Sequence, residues 1–300
     1  MKQSFTDFEL LVVDDGSTDR TAAVVSACGD PRVRLLRHEA NRGAAAARNT
    51  GIRAARSELI AFLDSDDEWI ADKLERQIDC LKKAPPDVLM CCTGYWSVRM
   101  RSREVLQRMP RCRKSWQHAL RGGCNLSPGS TALVRREAFE RHGLFDERLR
   151  RLEDWDWLLR YSASNDLIVV EALLARIHVA ERMSARPVDE AASIMLEKHG
   201  AAMRELGYWT DAQFRAAMLL EQGATSFYAG HYVRALACLA ESLVRYPLKP
   251  AAFFRQLMRR ALLIARSDER LEDRTRGRQD VFQPLAGESV LMPRPSKRKV

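Results

Sequence analysis

The first two-thirds of the chain alternates short apolar runs with helix-patterned segments, and few architectures accommodate that alternation. "FELLVV" (Phe8 to Val13), "VRLLR" (Val33 to Arg37), "ELIAFL" (Glu58 to Leu63) and "DVLMCCTGYWSV" (Asp87 to Val98) read as strands. Between them lie a helix capped by Thr18 or Asp19 and running to about Cys28, a small-residue helix in "NRGAAAARNTGIRAA", and a helix from Ile70 to Lys83 that stops at Pro85-Pro86. Strands alternating with helices predict an α/β fold: a mostly parallel sheet with helices on both faces. In such sheets ligands bind beyond the carboxyl ends of the strands. Two acidic clusters, "DDGSTD" and "DSDD", fall at that edge.

The second cluster is the denser. Asp64, Asp66, Asp67 and Glu68 crowd the end of an apolar run. Like charges this close repel, so a folded site must protonate some of them or hold a cation. Carboxylate oxygens suit hard divalent cations. Acids complementing a helix N-terminus would account for Asp67 and Glu68 but not for Asp64 and Asp66.

No apolar run reaches the ~18 residues that span a bilayer, and the opening "MKQSFTDFELLVV" lacks the pattern of a secretory signal. Seven cysteines without a CxxC pair argue against a disulfide framework or a zinc site and fit a reduced, cytoplasmic setting. Cys91 and Cys92 are adjacent in a strand and should face opposite ways. The formal charge of +9 is concentrated: Arg99, Arg101, Arg103, Arg108, Arg111, Arg113, Lys114 and Arg121 stand against Glu104 alone. That stretch is either a solvated loop or a surface for an anionic partner, a phosphorylated acceptor or an acidic membrane face. No nucleic-acid-binding motif accompanies it, and nucleic acid is not expected.

Downstream, "STALV" reads as a strand, Arg135 to His142 as a helix, "LEDWDWLLRYSA" as a helix with acids at its start, and "DLIVV" as a strand. From about Pro187 to Arg266 only helical patterns appear. "ATSFYAGHYVRALACLAESLVRYPLKP" resembles one tetratricopeptide-type hairpin, although such arrays need several copies to be stable. Charge, Pro and Gly dominate from Ser267 and predict a disordered basic tail. The expected organisation is residues 1–186, 187–266 and 267–300.

Taken in order, "FELLVVDDGSTD", "NRGAAAARNTG", "IAFLDSDDEW", "VRREAFERHGLFDERL" and "EDWDWLLR" resemble the family 2 glycosyltransferases of the GT-A, nucleotide-diphospho-sugar transferase fold. The resemblance covers roughly Gln3 to Arg186. It implies inverting transfer of a single sugar, of the hexosyltransferase type, from a nucleotide-diphospho-sugar donor to a glycan or lipid-linked acceptor in cell-surface polysaccharide synthesis, assisted by Mn²⁺ or Mg²⁺. It would take place in the cytoplasm or at the inner face of the membrane. By the same resemblance Asp66 binds the metal, Asp64 sits at the ribose or metal shell, and Asp14, Asp15, Arg42 and Gly43 lie at the nucleotide. Asp154 is the base. His178 either completes the metal shell or is an ordinary buried histidine. Arg48 either reaches a phosphate or forms a structural ion pair. Trp155 and Trp157 either stack on a sugar or pack in the core, and Glu153 is structural or orients the acceptor.

Two departures accompany the resemblance. The Gln-x-x-Arg-Trp motif and membrane helices of processive synthases are missing, which favours single-sugar transfer. Family members also open with a strand and helix before the equivalent of Gln3, so a marginally stable chain with an open sheet position beside Phe8 to Val13 is expected. The alternative function is that of a truncated, non-catalytic interaction protein. A dehalogenase-type phosphatase would want Thr or Val where Glu68 stands, and a nucleotidyltransferase would need a Gly-rich basic loop.

Overall fold

The computed structural model describes residues 2–99, 104–112, 114–179 and 184–247. The chain opens with a β-α-β unit: β1 (Leu10–Asp14), α1 (Thr21–Ser26) and β2 (Val33–Arg37). β1 and β2 pair in parallel, Leu10 opposite Val33 through Asp14 opposite Arg37. Among the described strands β1 has no other partner, and its apolar residues stay half-buried. α2 (Ala44–Ala54) then leads to β3 (Leu59–Ala61), followed by the two-residue β4 (Glu68–Trp69) and α3 (Lys73–Lys83).

A larger sheet holds β3, β4, β5 (Met90–Arg99), β6 (Glu104–Arg108), β7 (Leu133–Arg135) and β8 (Ile168–His178). Its order is β3-β7-β5-β8-β4, with β6 on the end of β5. The expected α/β class holds, but the mostly parallel pairing needs correction. Only β1–β2 and β5–β8 run parallel, while β3–β7, β4–β8, β5–β6 and β5–β7 are antiparallel. The reason lies in the connections. Helical crossovers keep neighbours parallel, whereas β5 and β6 join through a short link and β3 pairs with a strand that returns much later in the chain.

The sheet is covered on both faces. Cys91 and Leu133 point into a cluster with Leu74, Ile78 and Leu81 of α3. Their neighbours Cys92 and Val134 point into the main core with Trp155, Leu158 and Tyr161. Adjacent residues thus serve two cores, as the strand period of two requires. The second core is built on α7 (Glu153–Tyr161), flanked by α4 (Trp116–Leu120), α5 (Pro128–Thr131) and α6 (Arg136–His142).

Beyond the sheet come α8 (Arg186–Glu205), α9 (Tyr208–Tyr228) and α10 (Tyr232–Arg245). Gly223 of α9 lets α10 approach closely: a Cβ there would meet Cys238 Cβ at 3.2 Å. No described helix is long and apolar enough to cross a membrane. The continuation to Arg266 and the expected disordered tail lie outside the described residues.

Candidate active site

The acidic turn is built by three elements. β3 stops at Ala61, two residues earlier than its apolar run, and the chain turns with Asp67 N–H donating to Asp64 O at 3.0 Å. Ser130, buried in α5, holds that turn. Its Oγ accepts from Asp64 N–H at 3.0 Å and donates to Asp67 Oδ2 at 2.5 Å. Asp67 Oδ1 accepts from the backbone N–H of His178, at the end of β8, at 2.8 Å. Burial pushes the Asp67 carboxyl above its ordinary range, against the bonds from Ser130 and His178. Asp67 therefore anchors the turn. It does not cap the next helix, which begins at Lys73 behind Asp72.

Asp66 is exposed at the apex of the turn, with no hydrogen bond or ion pair among the described residues. His178 Nδ1 is buried and has no partner among them. The free carboxylate suits a hard cation, and the orphaned imidazole nitrogen, a donor for softer divalent ions, belongs to the residue whose backbone holds the same turn. Among the described residues no three His, Cys, Asp or Glu side chains converge on one point. A cation here would take its remaining ligands from a diphosphate or water.

The first acidic cluster lies at the end of β1. Asp14 is buried, accepts from Ser17 N–H at 2.8 Å and faces Arg37 Nε at 3.3 Å. The Ser17 bonds hold its carboxyl below the ordinary range. Asp15 binds the loop ahead of α2: Arg42 N–H at 2.8 Å, Gly43 N–H at 2.7 Å and His38 Nδ1 at 2.7 Å. Burial alone would raise its carboxyl, but the Arg42, His38 and Gly43 bonds win and lower it. Asp15, Arg42 and Gly43 are thus one hydrogen-bonded unit, while the Arg42 side chain turns away to Glu147 at 2.9 Å. Gly16, at φ +76°, lets the turn close: a Cβ there would lie 2.6 Å from the Ala40 carbonyl carbon.

Arg48 of α2 joins the acidic turn to α7. Nη2 reaches Asp64 Oδ1 at 2.7 Å and Nη1 reaches Glu153 Oε1 at 2.6 Å. The side chain is 13% exposed. Burial disfavours its charge, but Asp64, Glu153 and Asp154 more than offset that and raise its pKa. Gly129 of α5 makes the room, since a Cβ there would sit 2.6 Å from Arg48 Nη2 and 2.7 Å from Asp64 Oδ2. Asp154 follows Glu153 in the first turn of α7 and accepts from Trp155 N–H at 2.7 Å. Burial and the neighbouring Glu153 push its carboxyl up to about 6, against the pull of Arg48. It lines a small cavity with Arg48, Phe62, Pro128, Gly129 and Trp157.

Two strained residues frame this centre. Ser127 (φ +48°) precedes α5 and Leu152 (φ +64°) precedes α7. A non-glycine residue at positive φ is uncommon, and such strain gathers at functional sites. Trp155 and Trp157 settle as core: both are buried, and their ring N–H groups donate to Leu120 O and Gly143 O.

Of the residues expected at the site, Asp64 is tied through Arg48 to Glu153, the neighbour of Asp154, Asp66 stands on the acidic turn, and His178 holds that turn by its backbone N–H to Asp67. Asp14, Asp15, Arg42 and Gly43 form a separate group at the end of β1. Ser127, Gly129, Ser130 and Leu152 were not foreseen. Gly129 alone carried a sequence signal, as a glycine ahead of a strand. In the basic stretch, Arg99 is not a free cation: it faces Glu104 at 3.5 Å and Tyr228 Oη at 3.4 Å. Arg108 is half-buried and Arg111 and Lys114 are exposed, while Arg101, Arg103 and Arg113 lie outside the described residues.

The profile of Glycosyl transferase family 2 matches residues 1–143. A UDP-Glc:alpha-D-GlcNAc-diphosphoundecaprenol beta-1,3-glucosyltransferase of Escherichia coli is 51% identical over 83 residues, 28% of this chain and 33% of that protein. The succinoglycan biosynthesis protein ExoO of Rhizobium meliloti is 42% identical over 116 residues, 37% of this chain and 33% of its own. The chain thus spans about a third of the length of these relatives. Among solved structures, the mannosyltransferase PcManGT of Pyrobaculum calidifontis, in complex with GDP-Man and Mn²⁺, superposes with a TM-score of 0.53 at 20% identity, over 91% of this chain and 81% of that one. S. aureus TarS 1-349 gives a TM-score of 0.51 at 18% identity, over 82% of each chain. Residues 1–143 thus resemble glycosyl transferase family 2, and the fold is that of these glycosyltransferase structures, the GT-A fold.

Proposed function

We propose that this protein transfers a single sugar, with inversion, from a nucleotide-diphospho-sugar to a hydroxyl of a glycan or lipid-linked acceptor in cell-surface polysaccharide synthesis. The observation that carries the reading is that Arg48 ties Asp64 of the acidic turn to Glu153 at the start of α7 and lines one small cavity with the next residue, Asp154. The acceptor oxygen attacks the anomeric carbon and its proton passes to Asp154. The bond from that carbon to the β-phosphate oxygen breaks, and its electron pair leaves with the nucleoside diphosphate. One base and one displacement invert the anomeric centre. Asp64 receives the donor beside the acidic turn, and the group at Asp15, Arg42 and Gly43 receives the nucleotide. Asp66 and His178 would hold a divalent cation, Mn²⁺ or Mg²⁺, which when bound neutralises charge on the departing diphosphate. The relatives named for a lipid-linked sugar substrate and for succinoglycan synthesis support an acceptor of that class.

Asp154→Asn tests the reading. Turnover should fall about 100-fold or more while binding of UDP or GDP with Mn²⁺ stays within a few-fold. Because Asp154 titrates near 6, wild-type turnover should rise with pH through that value and level off above it. Nucleotide affinity lost in step with turnover would place Asp154 in the donor site instead.

A further inference from the structure

Arg48 is buried among three carboxylates from two separate parts of the chain. The acidic turn supplies Asp64 and the start of α7 supplies Glu153, both in ion pairs, while the next residue, Asp154, lines one small cavity with Arg48. Its two ion pairs, 2.7 and 2.6 Å long, use different nitrogens of one planar fork. Such a fork holds two acceptors at a set separation and angle, which a lysine ammonium cannot do. The surroundings are shaped for it. Gly129 leaves room that any side chain would fill, the Phe145 ring lies 5.8 Å from the guanidinium carbon, and Leu152 accepts a strained backbone to start α7 where it does. A buried ion pair made only for stability is replaced by apolar residues at little cost. The cost of this one falls where donor turn and base helix meet.

We infer that Arg48 is a positioning residue for transfer: it fixes the acidic turn against α7, and its charge keeps Asp154 available as a base. The inference rests on the reading of Asp154 given above. The groups facing Asp154 are Glu153 on its own helix, Arg48 from α2, Asp64 from the acidic turn, Tyr95 from β5, with Arg108 of β6 behind it, and Cys124 ahead of α5. Arg48 is the cation that pulls the Asp154 carboxyl down, and Glu153 is the largest charge pushing it up. Removing either should therefore move Asp154 in opposite directions.

The test is the carboxyl titration of ¹³C-aspartate-labelled full-length protein followed by NMR, with the Asp154 resonance identified by its loss in Asp154→Asn. Arg48→Gln should move the Asp154 midpoint up by about 1 pH unit and Glu153→Gln should move it down by a similar amount. Arg48→Lys keeps the charge but loses the fork. Its midpoint should stay near wild type, while release of UDP from UDP-glucose, or of GDP from GDP-mannose, falls about 10-fold or more and UDP affinity changes less than about 3-fold. Should Arg48→Gln fail to fold, Arg48→Lys and Glu153→Gln carry the test. An unmoved midpoint in the glutamine variants overturns the electrostatic role. Wild-type turnover in Arg48→Lys overturns the positioning role, and UDP affinity lost in step with turnover makes Arg48 a donor contact. Full turnover in Asp154→Asn overturns the base assignment and with it the electrostatic role of Arg48, while the positioning role is read from Arg48→Lys by itself.

Discussion

Ser130 shows how one buried hydroxyl can organise a charged turn. It accepts from the backbone of Asp64 and donates to the side chain of Asp67, so two members of the acid cluster answer to one atom. With Asp67 fixed, Asp66 is the carboxylate left facing outward. Ser130→Ala would leave the Asp64 N–H unpaired and Asp67 with His178 alone. Urea denaturation should register a loss of about 1–3 kcal/mol. Calorimetry should show weaker Mn²⁺-dependent UDP binding, partly restored in Ser130→Thr. Unchanged binding with lowered stability would confine Ser130 to a folding role. None of these partners is adjacent in sequence to Ser130, so a run of small polar residues before a strand carried no sign of the role.

At the scale of elements, α3 supports the site from the opposite face of the sheet. Its Lys73 is fully buried, hydrogen-bonded to Gln77 Oε1 at 2.6 Å, with its ammonium 3.9 Å from the centre of the Trp69 ring. Trp69 in turn donates to Ser130 O at 2.7 Å, and Gln77 Nε2 donates to Thr131 O at 2.9 Å. α3 thus braces α5 from below, through side chains that helical patterning marks only as a polar interruption of an apolar face. Burial lowers the Lys73 pKa to about 7. A folded-state value below the unfolded one means that the unfolded chain binds the extra proton between about pH 7 and the ordinary lysine range. Stability should therefore rise with pH through that window, by on the order of 1 kcal/mol per pH unit from this group. Lys73→Met should remove that rise and be the more stable protein at pH 7, as paired urea melts at pH 7 and 9 would show. Parallel pH dependence in both proteins would mean that Lys73 stays charged.

For the molecule as a whole, the sheet region and the helices after it share an apolar core, Trp155 against Phe214 among it, and a charged joint at Asp156. This side chain of α7 is fully buried. It takes His199 Nε2 at 2.8 Å and Lys198 Nζ at 2.9 Å, both from α8, and Arg160 of its own helix at 3.0 Å. Burial opposes the charge, but the His199, Lys198 and Arg160 interactions prevail and lower its pKa. Its stabilisation is present above the ordinary aspartate range and is lost as pH falls through the lowered value. Asp156→Ala would leave the buried His199 ring nitrogen without its partner, while Lys198 keeps Asp146 and Arg160 keeps Leu144 O, and should cost about 1–3 kcal/mol in urea denaturation. Since α7 also carries Asp154, turnover should fall with stability. A variant that melts like wild type would show that apolar packing alone holds α8 to α7.

The alternation of strands and helices, the two-sided burial of Cys91 and Cys92, and the two acidic edges were legible from the sequence. Each follows from a local period or from a short run of like charge. Asp64, Asp66 and Asp154 were legible as candidates as well, through ordered motifs. The strand directions were not, because antiparallel returns such as β3 with β7 depend on segments some seventy residues apart. Nor was the end of β8: "DLIVV" promised a short strand, yet it runs to His178 because β5 and β4 lie on both sides to take its hydrogen bonds. The division of labour among neighbouring acids was likewise decided in three dimensions. Asp67 became an anchor because Ser130 and His178 reach it, and Glu153 became the counter-charge of Arg48 because α2 passes over the start of α7. Sequence determines which groups the chain carries and which local periods they obey. Their roles depend on desolvation and on distances of a few ångströms between distant segments, and those exist only once the chain is packed.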